Sequence, residues 1–172
     1  LEVKNCHFSY PNCSKRILKS TSLQEVTTIK NNNTSTDNEV LISNCVFENT
    51  DGEALRLKGH KIRIENNLFR NIDWSCANIQ GLGVTIEGSA STNNIYSNNT
   101  ILTTGGSETF VPGKASTFTY NRAWNTGLLQ SDGAVLQCTR SNVENSVAAY
   151  NWIYNTKNYA IRYDAPGNDP TV

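Results

Sequence analysis

Ile64-Glu65-Asn66-Asn67-Leu68-Phe69-Arg70-Asn71 decides how this chain folds. Ile64 and Phe69 are apolar and five residues apart. Side chains on one face of a strand lie an even number apart. Both can point inward only if the chain turns between them, at Asn66-Asn67. Asn suits such a corner, because it tolerates the left-handed backbone region and its amide can bond to a neighbouring turn.

The pattern recurs along the chain. The corner residue is Cys6, Cys45, Asn67, Asn99, Asn121 and Asn151, with spacings of 39, 22, 32, 22 and 30 residues. Three positions before it stand Val3, Ile42, Ile64, Tyr96, Phe118 and Ala148. Two positions after it stand Phe8, Phe47, Phe69, Ile101, Ala123 and Ile153. Both columns are apolar. Downstream comes a further short strand, as in Ala54-Leu55-Arg56-Leu57, Asn78-Ile79-Gln80, Val135-Leu136-Gln137-Cys138 and Ala160-Ile161-Arg162-Tyr163. Lys61-Ile62-Arg63-Ile64 carries the chain back. A unit of about 22 residues with three short strands and no 3.6-residue period predicts an all-β, right-handed parallel β-helix of about six coils. The chain reads as one such domain over 1–172. Spacing beyond 22 residues marks insertions, expected as a polar loop over 11–38 and further loops around 79–94 and 130–145.

Composition agrees. The 24 Asn and 11 Gly suit a protein made of turns, and 15 basic residues balance 15 acidic ones, which gives no pull toward nucleic acid. No apolar run reaches the ~20 residues of a membrane span. Neither Leu1-Glu2-Val3 nor Asp169-Pro170-Thr171-Val172 reads as a cap, so the chain is expected to be an internal piece of a longer solenoid. Of the five Cys (6, 13, 45, 76 and 138), Cys6 and Cys45 take the corner position that Asn fills later. They read as small residues in a ladder, with Cys6–Cys13 and Cys6–Cys45 disulfides both left open. No Cys/His cluster suggests zinc.

The stretches Ile64 to Asn71 and Ile42-Ser43-Asn44-Cys45-Val46-Phe47, with the Asn corner, resemble the pectate-lyase-like superfamily of right-handed parallel β-helix proteins. The resemblance spans the chain and implies fold. Its members include polysaccharide lyases, glycoside hydrolases, epimerases, tailspikes and adhesins, mostly secreted or on cell surfaces, and fold alone does not choose among them.

Alternation in the strand after the corner puts Arg56, Gln80, Gln137 and Arg162 in one outward column, with Lys58 and Asp164 next along. Such a face suits an extended polysaccharide, since Arg holds a carboxylate and Gln bonds to hydroxyls. A lyase would need clustered cations, as in Arg56, Lys58 and His60, which resemble the basic stretches of β-helix alginate and chondroitin lyases. A glycosidase would need two carboxylates. The candidates are Asp132, Asp164 and Asp73, with Trp74 placed to stack on a sugar. The paired acidic signature of polygalacturonases and the Trp-Ile-Asp-His stretch of pectate lyases are both missing. Together these readings assign catalysis to Asp164, Arg162 and Lys58, and substrate binding to Arg56, Gln80, Gln137, Asp132 and Trp74. No cofactor is called for; a calcium site would draw on Asp51, Glu53 and Asp73, without a recognised loop motif. The expected activity is depolymerisation of an acidic extracellular glycan. The rival is a structural or adhesive β-helix, for which Trp124, Trp152 and Tyr154 would supply an outward apolar face.

Overall fold

The computed structural model describes residues 1–11, 27–35, 38–74, 84–106, 108–130, 132–139 and 144–164. Eighteen strands and no helix make up these residues, in six coils of three strands each. The first strand of each coil forms one parallel sheet: β1 (Glu2–Lys4), β4 (Val40–Ser43), β7 (Ile62–Glu65), β10 (Ile95–Ser97), β13 (Thr117–Thr119) and β16 (Val147–Ala149). The second sheet holds β2 (His7–Ser9), β5 (Val46–Glu48), β8 (Leu68–Ile72), β11 (Thr100–Thr104), β14 (Arg122–Trp124) and β17 (Trp152–Tyr154). The third holds β3 (Thr27–Asn31), β6 (Glu53–Leu57), β9 (Val84–Glu87), β12 (Glu108–Val111), β15 (Ala134–Thr139) and β18 (Tyr159–Asp164). This is the parallel β-helix that the repeat predicts. Among the described residues no helix is long and apolar enough to cross a membrane.

The two predicted apolar columns are in register. Val3, Ile42, Ile64, Tyr96, Phe118 and Ala148 align across the first sheet. Phe8, Phe47, Phe69, Ile101, Ala123 and Ile153 align across the second. The rings of Phe8, Phe47 and Phe69 stack at 4.9 and 5.0 Å with interplanar angles of 11° and 6°. That spacing is the coil rise itself, about 4.8 Å, so parallel stacking follows from placing identical side chains on successive rungs. A third inward column comprises Ile29, Leu55, Ile86, Phe110, Leu136 and Ile161.

Two layers of Asn hold the corner. Asn5, Asn44, Asn66, Asn98, Tyr120 and Tyr150 take the left-handed turn, with φ between 54° and 58°. The next residue points into the stack. Asn67 donates to Asn99 Oδ1 at 3.0 Å, Asn99 to Asn121 at 3.0 Å, and Asn121 to Asn151 at 3.1 Å. Each amide also donates to a carbonyl of the preceding coil: Asn67 to Ile42, Asn99 to Ile64, Asn121 to Tyr96 and Asn151 to Phe118, at 2.7–3.0 Å. The Oδ1 of Asn99, Asn121 and Asn151 each accepts a second bond from the backbone N–H one coil back, and Asn67 Oδ1 accepts from Cys45 N–H. Asn99 thus satisfies two donors and two lone pairs in a site that is 1% exposed.

The insertions are partly strand. β3 lies inside the segment expected as one loop over 11–38, and β9 inside 79–94. Spacing could not reveal them, because an insertion only adds length and does not say where in the coil it sits. Gly88 is needed where it lies: a Cβ there would come 2.3 Å from the hydroxyl of the fully buried Tyr96.

We predict that Asn99→Ala lowers stability by about 2–4 kcal/mol, because it strands buried donors of Asn67 and the Ile64 carbonyl. Urea unfolding measures this, and a loss under about 0.5 kcal/mol would show that the ladder is not what ties the coils.

Candidate active site on the third sheet

Each strand of the third sheet bends near its start. Ala54 and Leu55 are consecutive yet both lie in the core, as do Val135 and Leu136. The register pairs Thr27 with Glu53 and Ile29 with Leu55 while skipping the residues between, and β12 and β15 skip in the same way. Two inward residues in a row place their outer neighbours on the same exterior face. That face therefore carries two rows. One runs Thr27, Glu53, Val84, Glu108, Ala134, Tyr159. The other runs Lys30, Arg56, Glu87, Val111, Gln137, Arg162.

The rows confirm an outward column containing Arg56, Gln137 and Arg162, with two changes. Glu87 stands opposite Arg56, in the place assigned to Gln80, which itself lies outside the described residues. Val111 fills the coil that the sequence left unassigned. Gln137 is on this face but is 1% exposed, so it is not the open contact expected of it. Its Nε2 donates to Asp164 Oδ2 at 3.5 Å, and its Oε1 has no partner among the described residues.

Asp132, Gln137, Arg162 and Asp164 come together. Arg162 pairs with Asp132 and, at 3.0 Å, with Asp164, and its guanidinium lies 5.7 Å from the Tyr159 ring centre. The Gly133 N–H, donating at 2.8 Å, and then Arg162 hold the Asp132 carboxyl below its usual range. Asp132 thus has a second role besides the turn before Gly133.

Glu108 was not singled out by the sequence, and its carboxyl is the one most altered on this face. Burial raises it from 4.5 to about 7, helped by the charges of Glu87, Asp132 and Asp164 and opposed by Arg162. The signal available in the sequence was the alternation Glu108-Thr109-Phe110-Val111, which matches Val84-Thr85-Ile86-Glu87 only once the bend is known.

Arg56 and Lys58 sit at the other end of the face. Four strand spacings, roughly 19 Å, separate Arg56 from Arg162 along the row. Arg56 Nε donates to Glu53 at 2.8 Å, and Thr27 Oγ1 donates to the same carboxylate at 3.1 Å. Burial nevertheless raises the Glu53 carboxyl, outweighing Arg56. Lys58, half-buried, follows β6; its carbonyl accepts from Asn31 Nδ2 at 2.8 Å. Trp74 is exposed on the turn between the second and third sheets, with its Cα 3.1 Å from a Cβ built on Gly105. It belongs to the third coil, and the structure does not bring it to the Asp132–Arg162–Asp164 group. Among the described residues no group of three or more His, Cys, Asp or Glu could hold a metal ion, and that covers Asp51, Glu53 and Asp73.

No protein-family model, no curated protein and no solved structure matches this chain.

The raised Glu108 value fixes the sign of a pH effect. A carboxyl whose folded value exceeds its unfolded one stabilises the fold while protonated. That contribution is present below about 4.5 and is lost as pH climbs through about 7. We predict that Glu108→Gln gains stability relative to the wild type between pH 5 and pH 8, read from urea midpoints. A constant difference across that range would show that Glu108 titrates normally.

Proposed function

We propose that the outer face of the third sheet binds an extracellular polysaccharide and hydrolyses its glycosidic bonds, as glycoside hydrolases of the pectate-lyase-like superfamily do. The observation that carries this reading is Glu108: a carboxyl raised to about 7 beside other carboxylates on the outer side of the third sheet. Such a group keeps its proton near neutral pH and can pass it to a leaving glycosidic oxygen. The second carboxylate of the pair is Asp164, which lies 3.0 Å from Arg162 and serves as base toward water or as nucleophile at the anomeric carbon. Arg162 positions it, and Asp132 anchors Arg162 from the other side.

Hydrolysis is favoured over lyase chemistry on charge. A lyase needs a cation to neutralise the uronate at the cleavage point, whereas Arg56 and Arg162 are both committed to carboxylates. Lys30 and Lys58 add positive charge at the far end of the face, beside the Arg56–Glu53 pair, which suits the carboxylates of an acidic glycan several sugars away from the bond that breaks. Secretion or display at a cell surface goes with that substrate.

The test is reducing-end release from uronate-containing and neutral polysaccharides. Glu108→Gln and Asp164→Asn should each lose about 10²–10⁴ in rate. Products carrying an unsaturated terminal sugar would mean a lyase, and wild-type rates in both variants would remove this face from consideration.

A second reading, a structural or adhesive β-helix, has its own observation. On the second sheet Trp124 stacks on Tyr154 at 5.6 Å, and at the adjoining corner Tyr120 stacks on Tyr150 at 5.1 Å. The Arg122 guanidinium lies 5.1 Å from the Trp152 ring centre, and Trp152 is 58% exposed. Under this reading Trp152→Ala converts an assembled species to monomer in sedimentation velocity. A wild-type protein that is already monomeric at high concentration eliminates it.

A further inference from the structure

We propose that Cys6 and Cys45 form a disulfide that staples the first coil to the second. The argument starts from where the amide ladder stops. Its side-chain links run Asn67–Asn99–Asn121–Asn151, and its last Oδ1 accepts from the backbone of Cys45. The two remaining corners carry sulfur instead of amide. Cys45 still occupies the ladder slot: its Sγ points at the Val3 carbonyl at 3.7 Å, three residues before Cys6. Asn67 reaches in the same way to Ile42, three residues before Cys45. A thiol is a weak donor, so the hydrogen bond that ties every later pair of coils is nearly lost here.

The geometry accepts a covalent replacement. Lys4 pairs with Ser43 before the corner and His7 with Val46 after it, which brings Cys6 level with Cys45. Neighbouring strands lie about 4.8 Å apart, inside the Cα separation of about 4.4–6.8 Å that a disulfide spans. Both thiols now donate only to main-chain carbonyls two residues back or across the coil: Cys6 to Lys4 at 3.2 Å and Cys45 to Ser43 at 3.2 Å. Little is given up when the S–S bond forms.

The first coil is also where a staple has most to do. It lies beyond the longest spacing in the chain, 39 residues between corners against 22 to 32 elsewhere, and closing a longer loop costs more entropy. Val3 and Phe8 are only partly buried, whereas Ile42 and Phe47 above them are fully buried. Cys6 is exposed and Cys45 buried, which sets the order of chemistry. An oxidised low-molecular-weight disulfide such as oxidised glutathione exchanges first at Cys6, releasing one glutathione thiolate. The Cys45 thiolate then attacks the Cys6 sulfur, breaks the mixed disulfide and releases the second glutathione. Two protein thiols are oxidised, one glutathione disulfide is reduced to two thiols, and the two protein thiol protons end, by way of solvent, on the two glutathione sulfurs.

The experiment incubates the whole chain with oxidised glutathione, blocks remaining thiols with iodoacetamide, and maps chymotryptic peptides without reduction. Cleavage after Phe8 separates Cys6 from Cys13. We expect a Cys6–Cys45 linked peptide, and a melting temperature that falls by about 6–12 °C when phosphine reductant is added. Cys6→Ser should match the reduced wild type and ignore the reductant. An alkylated Cys6, or a Cys6 peptide linked to Cys13 or Cys76, overturns the assignment. So does a melting temperature equally indifferent to reductant in wild type and variant.

Discussion

The buried amide ladder is the constraint on which the structure depends. A parallel sheet supplies hydrogen bonds between coils but does not by itself stop one strand from slipping along the next, and a one-residue slip would turn every side chain to the wrong face. Asn67, Asn99, Asn121 and Asn151 prevent that. Each amide has two donors and an oxygen with two lone pairs, and each is matched only when the corners lie directly above one another. In a dry corner an unmatched amide costs more than a matched one contributes. The ladder therefore fixes register by penalty.

Register at the corner propagates outward. Once Asn67 is level with Asn99, Phe69 must be level with Ile101, and Leu68 with Thr100. The charged rows outside inherit that order. Glu48 draws in His7 from one coil and Arg70 from another, and Arg70 and His7 hold its carboxyl down to about 2. On the third sheet the same alignment puts Arg162 between Asp132 of the preceding coil and Asp164 of its own strand. Arg162 and Asp164 come from β18 itself, and the turn at Asp132-Gly133 supplies the third group.

The parts legible in the sequence were those governed by one repeating offset. Ile64 and Phe69 differ by five, so a corner was required, and the φ of 54° at Asn66 is that corner. The third sheet followed a different rule. Its strands bend between two inward residues, so the period of two breaks: Glu53 and Arg56, three apart, share a face. Reading strict alternation from Arg56 gave its column correctly and hid the row of Glu53 and Glu108 altogether. Gln80 was taken as the next member because Asn78-Ile79-Gln80 follows the corner at the usual distance. The structure places that coil's strand later, at Val84–Glu87. Burial of Gln137 was beyond reach, since alternation says which way a side chain points and not what lies over it.

The distribution of charge on that face bears on what it can do. Counting Lys, Arg, Asp and Glu alone would call it a solvated surface with balanced sign. The order along the stack says otherwise. Lys30 and Arg56 are adjacent at one end, where Glu53 is bonded to Arg56 and Glu87 stands one strand on, and Glu108, Asp132 and Asp164 follow toward the other end. Arg162 offsets only part of that negative charge, and the remainder acts on Glu108, which burial also desolvates. Glu108 cannot lose its proton without adding a charge to a place already crowded with them. Burial of Glu108 within the first outer row, beside Glu87, Asp132 and Asp164, raises its carboxyl to about 7.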